Sequence, residues 1–307
     1  MKTGILTGCT TSGKTKLALT LAEQSGAKIE IINADSLLVF REFNIGTAKP
    51  GAAEQAHIRH HLIDIKSPDE SFTAGDFVRE VNTTIENIES RGKRALIVGG
   101  TGFYLKALLY GLWEAPKSEP KLRQKLELSS NSELYSRLFE KDELAALKIG
   151  NNDRYRLLRA VEIFELSGKT PTELEAQSSK EADQRFELWI VDRDNDELFI
   201  RIRQRTEEMI ALGLVEETLN LRKRYPSARP LGSVGYLQVC NYLDQILPQG
   251  RKLAPGTEGL ITEIELATRQ LVKRQRTFFR GQTEGKWFTL EADCEGLKDR
   301  FEAVYET

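Results

Sequence analysis

The residue types and spacing best suited to chemistry lie close to the start of the chain. Residues 8–15 fit the pattern Gly-x-x-x-x-Gly-Lys-Ser/Thr, after a short apolar segment and before a helical one. The loop consists of Gly8, Cys9, Thr10, Thr11, Ser12, Gly13, Lys14 and Thr15. Its glycines allow the backbone to wrap an anion, Lys14 can add positive charge, and Thr15 can offer a hydroxyl to Mg²⁺. The loop predicts a di- or triphosphate ligand and leaves open which one.

A single carboxylate, Asp35, follows the second strand-like segment at residues 28–33. Nucleoside triphosphatases usually hold Mg²⁺ with an acid at the end of a further strand. Here the apolar run Arg94–Val98 ends instead in Gly-Gly-Thr at residues 99–101. Asp35 can act as a general base towards a nucleophile that attacks a bound diphosphate. It can also cap the following turn as an Asx motif, and the sequence leaves both roles open.

The C-terminal third contains a local concentration of positive charge, although the formal net charge of the whole chain is only -2. A nucleic-acid partner would need such a local patch. The segment 269–280 has no acid and contains the basic residues Arg269, Lys273, Arg274, Arg276 and Arg280. All but Arg274 recur at i, i+4, i+7 and i+11, which is one stripe on a helix. The stripe suits a phosphate backbone, with an ordinary solvated face as the alternative.

The remaining candidate groups stay open or favour structural roles. Arg201 and Arg205 share one predicted helix face, where they could meet a phosphate or face solvent. His57, His60 and His61 cluster, but no cysteine or further histidine completes a metal site. The scattered cysteines are expected to be reduced thiols. We expect a soluble cytoplasmic protein, because there is no leader-like segment and no apolar run near the roughly 18 residues of a membrane span.

The pattern of the chain predicts an α/β framework for these residues. Strand-like segments at residues 5–7, 28–33, 62–65 and 94–98 alternate with helical periodicity, including a helix that opens near Thr73. Such alternation indicates a parallel, doubly wound sheet with helices on both faces. Ligands bind at the carboxyl ends of the strands in these sheets. The loop 8–15, Asp35 and residues 99–101 all follow strand ends, so we expect them to lie close together.

A second region interrupts this framework. Two prolines fall in a polar stretch at residues 113–120, and residues 122–174 are charged and helical without a strand signal. Residues 186–191 are again strand-like, and the C-terminal third is mostly helical with a last strand candidate at 287–290. We therefore predict a core formed by residues 1–114 and 183–307, with a helical insertion at residues 115–182.

Motifs along nearly the whole chain resemble one family, the tRNA dimethylallyltransferases, also called isopentenyl-tRNA transferases. The phosphate loop resembles theirs, as do Asn-Ala-Asp-Ser at 33–36, Asn-Ile-Gly-Thr-Ala-Lys-Pro at 44–50, His-His-Leu-Ile-Asp at 60–64 and Gly-Gly-Thr-Gly-Phe-Tyr at 99–104. Similar blocks are Arg-Leu-Leu-Arg-Ala-Val-Glu at 156–162, Gly-Tyr at 235–236 and Ala-Thr-Arg-Gln-Leu-Val-Lys-Arg-Gln at 267–275. Blocks 44–50 and 267–275 are distinctive, because unrelated phosphate-loop kinases lack them.

The resemblance implies a phosphate-loop α/β core with an inserted all-helical subdomain that grips the anticodon stem-loop of tRNA. It also implies a reaction, the transfer of a dimethylallyl group from dimethylallyl diphosphate to N6 of the adenine 3′-adjacent to the anticodon. Diphosphate would be released, and the adenine would have to leave its stack. Mg²⁺ is the implied cofactor, with Thr15 as its ligand, and a monomer is expected.

The resemblance further assigns roles to individual residues. Asp35 would be the catalytic base, with Thr10 and Arg205 as further catalytic residues. The diphosphate would be held by Gly8, Thr10, Thr11, Ser12, Gly13, Lys14, Thr15 and Arg205. The implied tRNA contacts are Asp35, Ser36, Leu37, Leu38, Thr101, Arg123, Tyr155, Arg156, Arg159, Gly235, Tyr236, Arg269, Lys273, Arg274, Arg276 and Arg280. The chain departs from the family pattern at Cys9, Leu37, Leu38, Tyr155 and Leu237, and all of these except Cys9 are near expected tRNA contacts.

Two other classes of function share parts of this pattern. A small-molecule kinase would use ATP at the same loop, but the basic stripe and the carboxylate-free end of the run Arg94–Val98 disfavour it. A non-catalytic RNA-binding module could retain a vestigial loop, but the intact Lys14, Thr15 and Asp35 disfavour that. The sequence predicts the prenyltransferase over both.

Overall fold

The computed structural model describes residues 2–25, 28–113, 115–176, 181–246, 256–290 and 292–305. The chain divides into two compact units. The first contains Met1–Leu109 and Asp183–Thr307, and the second contains Tyr110–Ala182. The second unit begins a few residues before the insertion that the sequence placed at 115–182.

The first unit is built on a six-stranded sheet with the order β3-β2-β4-β1-β5-β6. Every neighbouring pair in this order is parallel. The strands are β1 (Thr3–Gly8), β2 (Ile29–Asn33), β3 (His60–His61), β4 (Arg94–Val98), β5 (Phe186–Asp192) and β6 (Lys286–Thr289). The parallel α/β fold that the sequence predicted is confirmed.

The helices cover both units. They are α1 (Lys14–Gln24), α2 (Ala52–His57), α3 (Ala74–Ser90), α4 (Gly102–Tyr110), α5 (Pro120–Glu127), α6 (Asn131–Lys141), α7 (Glu143–Ile149), α8 (Arg154–Ser167), α9 (Pro171–Ala176), α10 (Asn195–Ala211), α11 (Leu214–Arg224), α12 (Tyr236–Leu243), α13 (Thr257–Gln282) and α14 (Cys294–Tyr305), with a 3₁₀ turn at Arg229–Gly232. Among the described residues, no helix is long and apolar enough to cross a membrane.

Helix α3 shows how local sequence fixes an element. The Thr73 hydroxyl accepts a hydrogen bond from the Asp76 amide at 3.1 Å, and the Asp76 carboxylate accepts one from the Thr73 amide at 2.8 Å. This reciprocal cap satisfies amides that a helix start otherwise leaves unpaired. Phe77, Val81 and Ile85 then recur at helical spacing and are buried. The prediction of a helix that opens near Thr73 is confirmed.

The third strand was predicted wrongly at residues 62–65. The structure forms β3 from His60 and His61 instead, which pair with Ile31 and Ile32 of β2. Leu62 and Asp64 have φ angles of 60° and 56°. These left-handed conformations cannot continue a strand, so the apolar alternation of the segment belongs to a turn.

Behind the sheet, α14 closes the core through aromatic side chains. Trp189 of β5 and Phe301 of α14 are almost completely buried. The Tyr305 hydroxyl donates to the carbonyl of Ala95 at 2.6 Å and accepts from the Gly4 amide at 3.0 Å. A Cβ at Gly4 would lie 2.5 Å from the Trp189 ring, so only glycine fits there. The C-terminal helix thereby stabilises the central strands that carry the phosphate loop.

The second unit has its own apolar core, formed by side chains from α5 to α8 that include Leu126, Leu134 and Leu157. Its one described charged side chain that is completely buried is Glu162 of α8. Burial would raise the pKa of this carboxyl, but hydrogen bonds from Ser118 and Arg159 lower it below its usual value. Glu162 is therefore a buried anion that organises basic side chains around it.

Candidate active site at the phosphate loop

A cavity of about 590 Å³ opens where the strands of the first unit end. Its walls include Lys14 and Thr15 of the phosphate loop, Asp35 after β2, Thr101 after β4, and Arg205 of α10. The segments that the sequence expected at one edge of the sheet do line one cavity.

The phosphate loop has a wrapped conformation. Gly13 precedes α1 with a φ of 93°, a left-handed conformation that favours glycine. A Cβ at Gly8 would lie 2.2 Å from the carbonyl oxygen of Val191, so the loop packs directly on β5. The Lys14 ammonium donates to the carbonyl of Cys9 at 3.3 Å, across the mouth of the loop. The Ser12 hydroxyl is buried and has no hydrogen-bond partner among the described residues.

Two desolvated cations, Lys14 and Arg205, line this cavity without an acid in contact. Burial lowers the pKa of Lys14, while the charge of Asp35 acts in the opposite direction. Burial also lowers the pKa of Arg205, again against the charges of Asp35 and Glu208. Within the described part of the chain, Arg205 has neither a hydrogen bond nor an ion pair. Desolvated cations of this kind favour binding of an anion.

Asp35 forms the Asx cap that the sequence left open, and its role as a general base stays a prediction. Its Oδ1 accepts a hydrogen bond from the Leu37 amide at 2.9 Å, which is the Asx cap. Its other carboxylate oxygen has no hydrogen bond among the described residues. Asn33 fixes the turn, because its side chain accepts from the Asp35 amide at 2.8 Å and donates to the Asp35 carbonyl at 3.0 Å. One oxygen therefore holds the turn and the other is available to a ligand.

Thr101 and Ser36 support this turn. The Thr101 hydroxyl accepts from the Ser36 amide at 2.9 Å and donates to the Ser36 hydroxyl at 3.3 Å. Both residues line the cavity, as do the apolar side chains of Leu37 and Leu38. All four residues therefore belong to the cavity wall, and their predicted tRNA contacts stay predictions.

Three residues that sequence reasoning missed hold the loop or its surroundings. Gln275 of α13 accepts from the Thr10 amide and donates to the Gly100 carbonyl, both at 2.9 Å. Arg193 donates from Nε to the Ser12 carbonyl at 2.7 Å. The third is Glu217, which holds the segment 44–46 of the cavity wall. No local sequence pattern predicts such contacts, since they join residues far apart in the sequence.

Glu217 of α11 organises the distinctive block at residues 44–50. Its carboxylate accepts from the amides of Asn44, Ile45 and Gly46 at 3.2, 2.9 and 3.3 Å, and from the Tyr236 hydroxyl at 2.5 Å. A Cβ at Gly46 would lie 2.5 Å from the Tyr236 ring, which explains the glycine.

The predicted tRNA contact of Tyr236 stays a prediction, and the structure gives its side chain a role inside the protein. Tyr236 is completely buried, and its hydroxyl is used by Glu217. Its ring packs against Phe43 with centroids 4.9 Å apart. The residue therefore acts inside the protein, where it shapes the loop that lines the cavity. Gly235, immediately before α12, lines the cavity itself.

The basic stripe on α13 has acidic partners, contrary to the prediction of a stripe without compensating acids. Arg276 donates to the Asp192 carboxylate at 2.7 Å and to the Arg193 carbonyl at 2.6 Å. Arg269 pairs with Glu265, and its guanidinium lies 4.0 Å from the centroid of the Phe199 ring. The acids come from the preceding helical turn and from β5, outside the segment 269–280.

Three basic residues of this segment remain exposed: Lys273, Arg274 and Arg280. Arg280 lies over the Trp287 ring at 5.3 Å. Lys273 and Arg274 have no hydrogen bond or ion pair with any residue in the described ranges. The accessible positive charge of α13 is therefore smaller than the stripe predicted and centres on Lys273 and Arg274.

The residues of the second unit that are expected to contact tRNA differ in their partners and exposure. Arg159 donates to Glu162 at 2.7 Å and to the Pro116 carbonyl at 2.5 Å. Arg156 pairs with Asp153 at 2.6 Å, and Arg123 contacts Glu127 at 3.3 Å. Arg123 also lies 5.6 Å from the centroid of the Tyr155 ring, which is 58% exposed. The arginines have protein partners, and the Tyr155 ring is more than half exposed beside Arg123.

The described residues contain no group of three or more His, Cys, Asp or Glu side chains that could hold a metal ion. The three histidines have separate partners. His57 meets Glu23 at 3.1 Å, His60 Nδ1 meets the Ile58 carbonyl at 2.7 Å, and His61 meets Glu30 at 2.7 Å.

The parallel sheet, the wrapped loop and the two desolvated cations define a phosphate-loop α/β protein with a candidate anion site. A family model described as IPP transferase matches residues 38–282, and the chain belongs to this family.

Relatives and solved structures agree with this assignment. The chain is 40% identical over 291 residues to tRNA dimethylallyltransferase 1 of Citrifermentans bemidjiense, covering 94% of this chain and 92% of the relative. It is 38% identical to the tRNA dimethylallyltransferase of Geobacter sulfurreducens, covering 95% and 93%. The full-length tRNA isopentenylpyrophosphate transferase of Bacillus halodurans is similar in structure, with a TM-score of 0.67, 30% identity and coverage of 99% and 95%. A eukaryotic dimethylallyltransferase acting on tRNA shares the fold with a TM-score of 0.79 at 24% identity, covering 99% of this chain and 78% of that one.

Proposed function

We propose that this protein transfers a dimethylallyl group from dimethylallyl diphosphate to N6 of the adenine 3′-adjacent to the anticodon in tRNA. The observation that carries the proposal is the pair Lys14 and Arg205, two desolvated cations in a cavity that also contains an uncommitted oxygen of Asp35. A diphosphate is the anionic part of the donor, and the relatives are named for the transfer of this prenyl group to tRNA.

The reaction requires a displacement at C1 of the donor. The N6 nitrogen forms a bond to C1, the bond from C1 to the bridging oxygen breaks, and diphosphate leaves with the electron pair. Lys14, Arg205 and the loop amides stabilise the negative charge that develops on the leaving group. The displaced N6 proton goes to Asp35, which can accept it through the oxygen that does not hold the turn. Thr10 lines the same cavity and is assigned to the diphosphate.

The prenyl chain needs an apolar environment that excludes water. Ile202 and Met209 of α10 and Ile264, Leu271 and Phe278 of α13 contribute apolar walls to the cavity. Water at C1 would compete with the adenine for the donor, and hydrolysis would waste it. These side chains therefore favour transfer over hydrolysis.

Mg²⁺ is part of the proposal and fits the available donors. Mg²⁺ prefers oxygen ligands and usually combines few protein ligands with substrate phosphates and water. The Thr15 hydroxyl on the cavity wall and a bound diphosphate offer such oxygens. When bound, the ion would neutralise part of the charge of the diphosphate.

The tRNA would approach with its anticodon stem-loop. Lys273, Arg274 and Arg280 are exposed basic residues of α13 that suit the phosphate backbone. In the second unit, the exposed Tyr155 ring suits stacking on a base. The target adenine would leave its stack to reach the cavity, as bases do in other base-modifying enzymes. A cytoplasmic monomer is the state that we propose.

Two parallel incubations separate this function from its alternatives. The protein is mixed with labelled dimethylallyl diphosphate and unmodified tRNA and, in parallel, with labelled ATP and a set of nucleosides. We expect label in tRNA from the first mixture and no phosphorylated nucleoside from the second. Phosphoryl transfer without prenyl transfer would identify a kinase, and tRNA binding without either reaction would identify an RNA-binding module.

A further inference from the structure

The leaving-group site and the candidate base belong to strands that are not neighbours. The phosphate loop follows β1 and Asp35 follows β2, while β4 lies between these two strands. The segment that follows β4 therefore lies between the phosphate loop and the Asp35 carboxylate, and its contacts fix the distance between them. That connection is the turn at residues 99–101.

One side of this turn is held by the loop that binds phosphate. The Gln275 side chain accepts from the Thr10 amide and donates to the Gly100 carbonyl, both at 2.9 Å. Only this orientation of the amide satisfies both contacts, because an oxygen must meet the N–H and a nitrogen the carbonyl. The Thr7 hydroxyl adds a bond to the Gly99 carbonyl at 2.7 Å.

The other side of the turn is held by the segment that carries Asp35. The Thr101 amide donates to the Ala34 carbonyl at 3.2 Å, and the Thr101 hydroxyl accepts from the Ser36 amide at 2.9 Å. A Cβ at Gly99 would lie 2.2 Å from the carbonyl carbon of Ala34, so the two backbones are in direct contact. A continuous row of hydrogen bonds thus runs from Thr10 through Gln275 and the turn to Ser36.

We propose that Gln275 is a positioning residue that fixes the phosphate loop relative to Asp35 for the displacement reaction. This inference rests on the proposed function. In a displacement, the nucleophile and the leaving group must be aligned on opposite sides of C1, and a misplacement of 1 Å can cost about 10²-fold in rate. Gln275 does not act on the substrate through the contacts described. Its amide takes the Thr10 N–H and ties it to the turn that supports the base.

The main test compares Gln275→Met with Gln270→Met. Methionine keeps the length of the side chain and removes both hydrogen bonds, while Gln270 is an exposed glutamine of the same helix that does not line the cavity. We expect the single-turnover rate at saturating substrates to fall about 10–100-fold in Gln275→Met. The Kd for tRNA should change less than about threefold, and Gln270→Met should match the wild type. A rate for Gln275→Met within about threefold of the wild type would overturn the proposal.

A second variant distinguishes positioning from general support of the fold. In Gln275→Glu the ionised carboxylate can still accept from Thr10 but presents an oxygen to the Gly100 carbonyl, so the rate should stay low at neutral pH. Protonation restores one donor. The ratio of variant to wild-type rate should therefore rise as the pH is lowered from about 6.5 towards the ordinary Glu pKa of about 4.3. A ratio that does not change with pH would contradict the two-ended contact.

A double-mutant cycle with Thr101→Val examines the row as a unit. Because both residues act on the same turn, the losses in rate should be less than multiplicative in Gln275→Met/Thr101→Val. Fully multiplicative losses would mean that the residues act separately and would overturn the proposed row. Prenyl transfer by the wild-type protein is the arm that tests the function itself, so failure of the function and failure of the inference are distinguishable.

Discussion

The two desolvated cations of the cavity, Lys14 and Arg205, and the paired Arg276 of α13 are basic residues in opposite situations. Lys14 and Arg205 line the cavity with lowered pKa values and no acid in contact. Arg276 of α13 donates to the Asp192 carboxylate and the Arg193 carbonyl at the end of β5. Desolvated cations without an acid in contact indicate a site for an external anion, whereas an arginine paired with an acid indicates a structural contact. An acid in contact with a basic side chain therefore distinguishes a structural residue from a ligand-binding one. The number of basic residues in a segment does not make this distinction.

The largest expected effect is on Asp35, the acid that faces the unpaired cations. Asp35→Asn keeps an oxygen that can accept from the Leu37 amide, so the turn should persist. The chemical step should slow by roughly 10²–10⁴-fold, the range for loss of a general base. Single-turnover rates at saturating substrates measure this. A wild-type-like rate would leave the turn cap as the only role of Asp35, and recovery at raised Mg²⁺ would reassign it to the metal.

Lys14→Ala should remove most activity, by roughly 10²–10³-fold, because it deletes one cation that faces the leaving group. Its fold should be intact. Burial lowers the pKa of Lys14, so its charge costs stability below that pKa, and the cost disappears as the pH rises towards the usual 10.5. The melting temperature of the ligand-free variant at neutral pH should therefore equal or exceed that of the wild type. A lower melting temperature would mean that Lys14 supports the fold instead.

The loop, the strands and the site were predictable from sequence to different degrees. Residues 8–15 form a local motif, and the alternating pattern located β1, β2, β4 and β5 to within one or two residues. Gln275 was not predictable, since it meets Thr10 across 265 positions of the chain. Glu217 likewise meets Ile45 across 172 positions. The ion pair of Arg276 was not predictable either, since its partner Asp192 lies 84 residues away. Contacts of this kind depend on tertiary packing, which a single sequence does not reveal.

A smaller effect is expected from the exposed basic residues of α13. Arg274→Ala should weaken tRNA binding and reduce the slope of log K against log salt by about 0.7–0.9, one phosphate contact. Arg274 also lines the cavity, so Lys273→Ala is the matched variant in which binding of dimethylallyl diphosphate should change less than about threefold. Titrations of tRNA at several salt concentrations give the slope, and an unchanged slope would exclude Arg274 from the RNA surface.

The comparison between the two kinds of arginine is tested most directly by Arg205→Ala and Arg276→Ala side by side. The measurement is thermal unfolding of each variant with and without inorganic diphosphate. For Arg205→Ala, we expect an unchanged melting temperature and loss of most of the stabilisation by diphosphate. For Arg276→Ala, loss of a largely buried ion pair should cost about 1–3 kcal/mol of stability, while diphosphate still stabilises the protein. The account would be contradicted by the reverse pattern, with Arg205→Ala unstable and Arg276→Ala unresponsive to diphosphate.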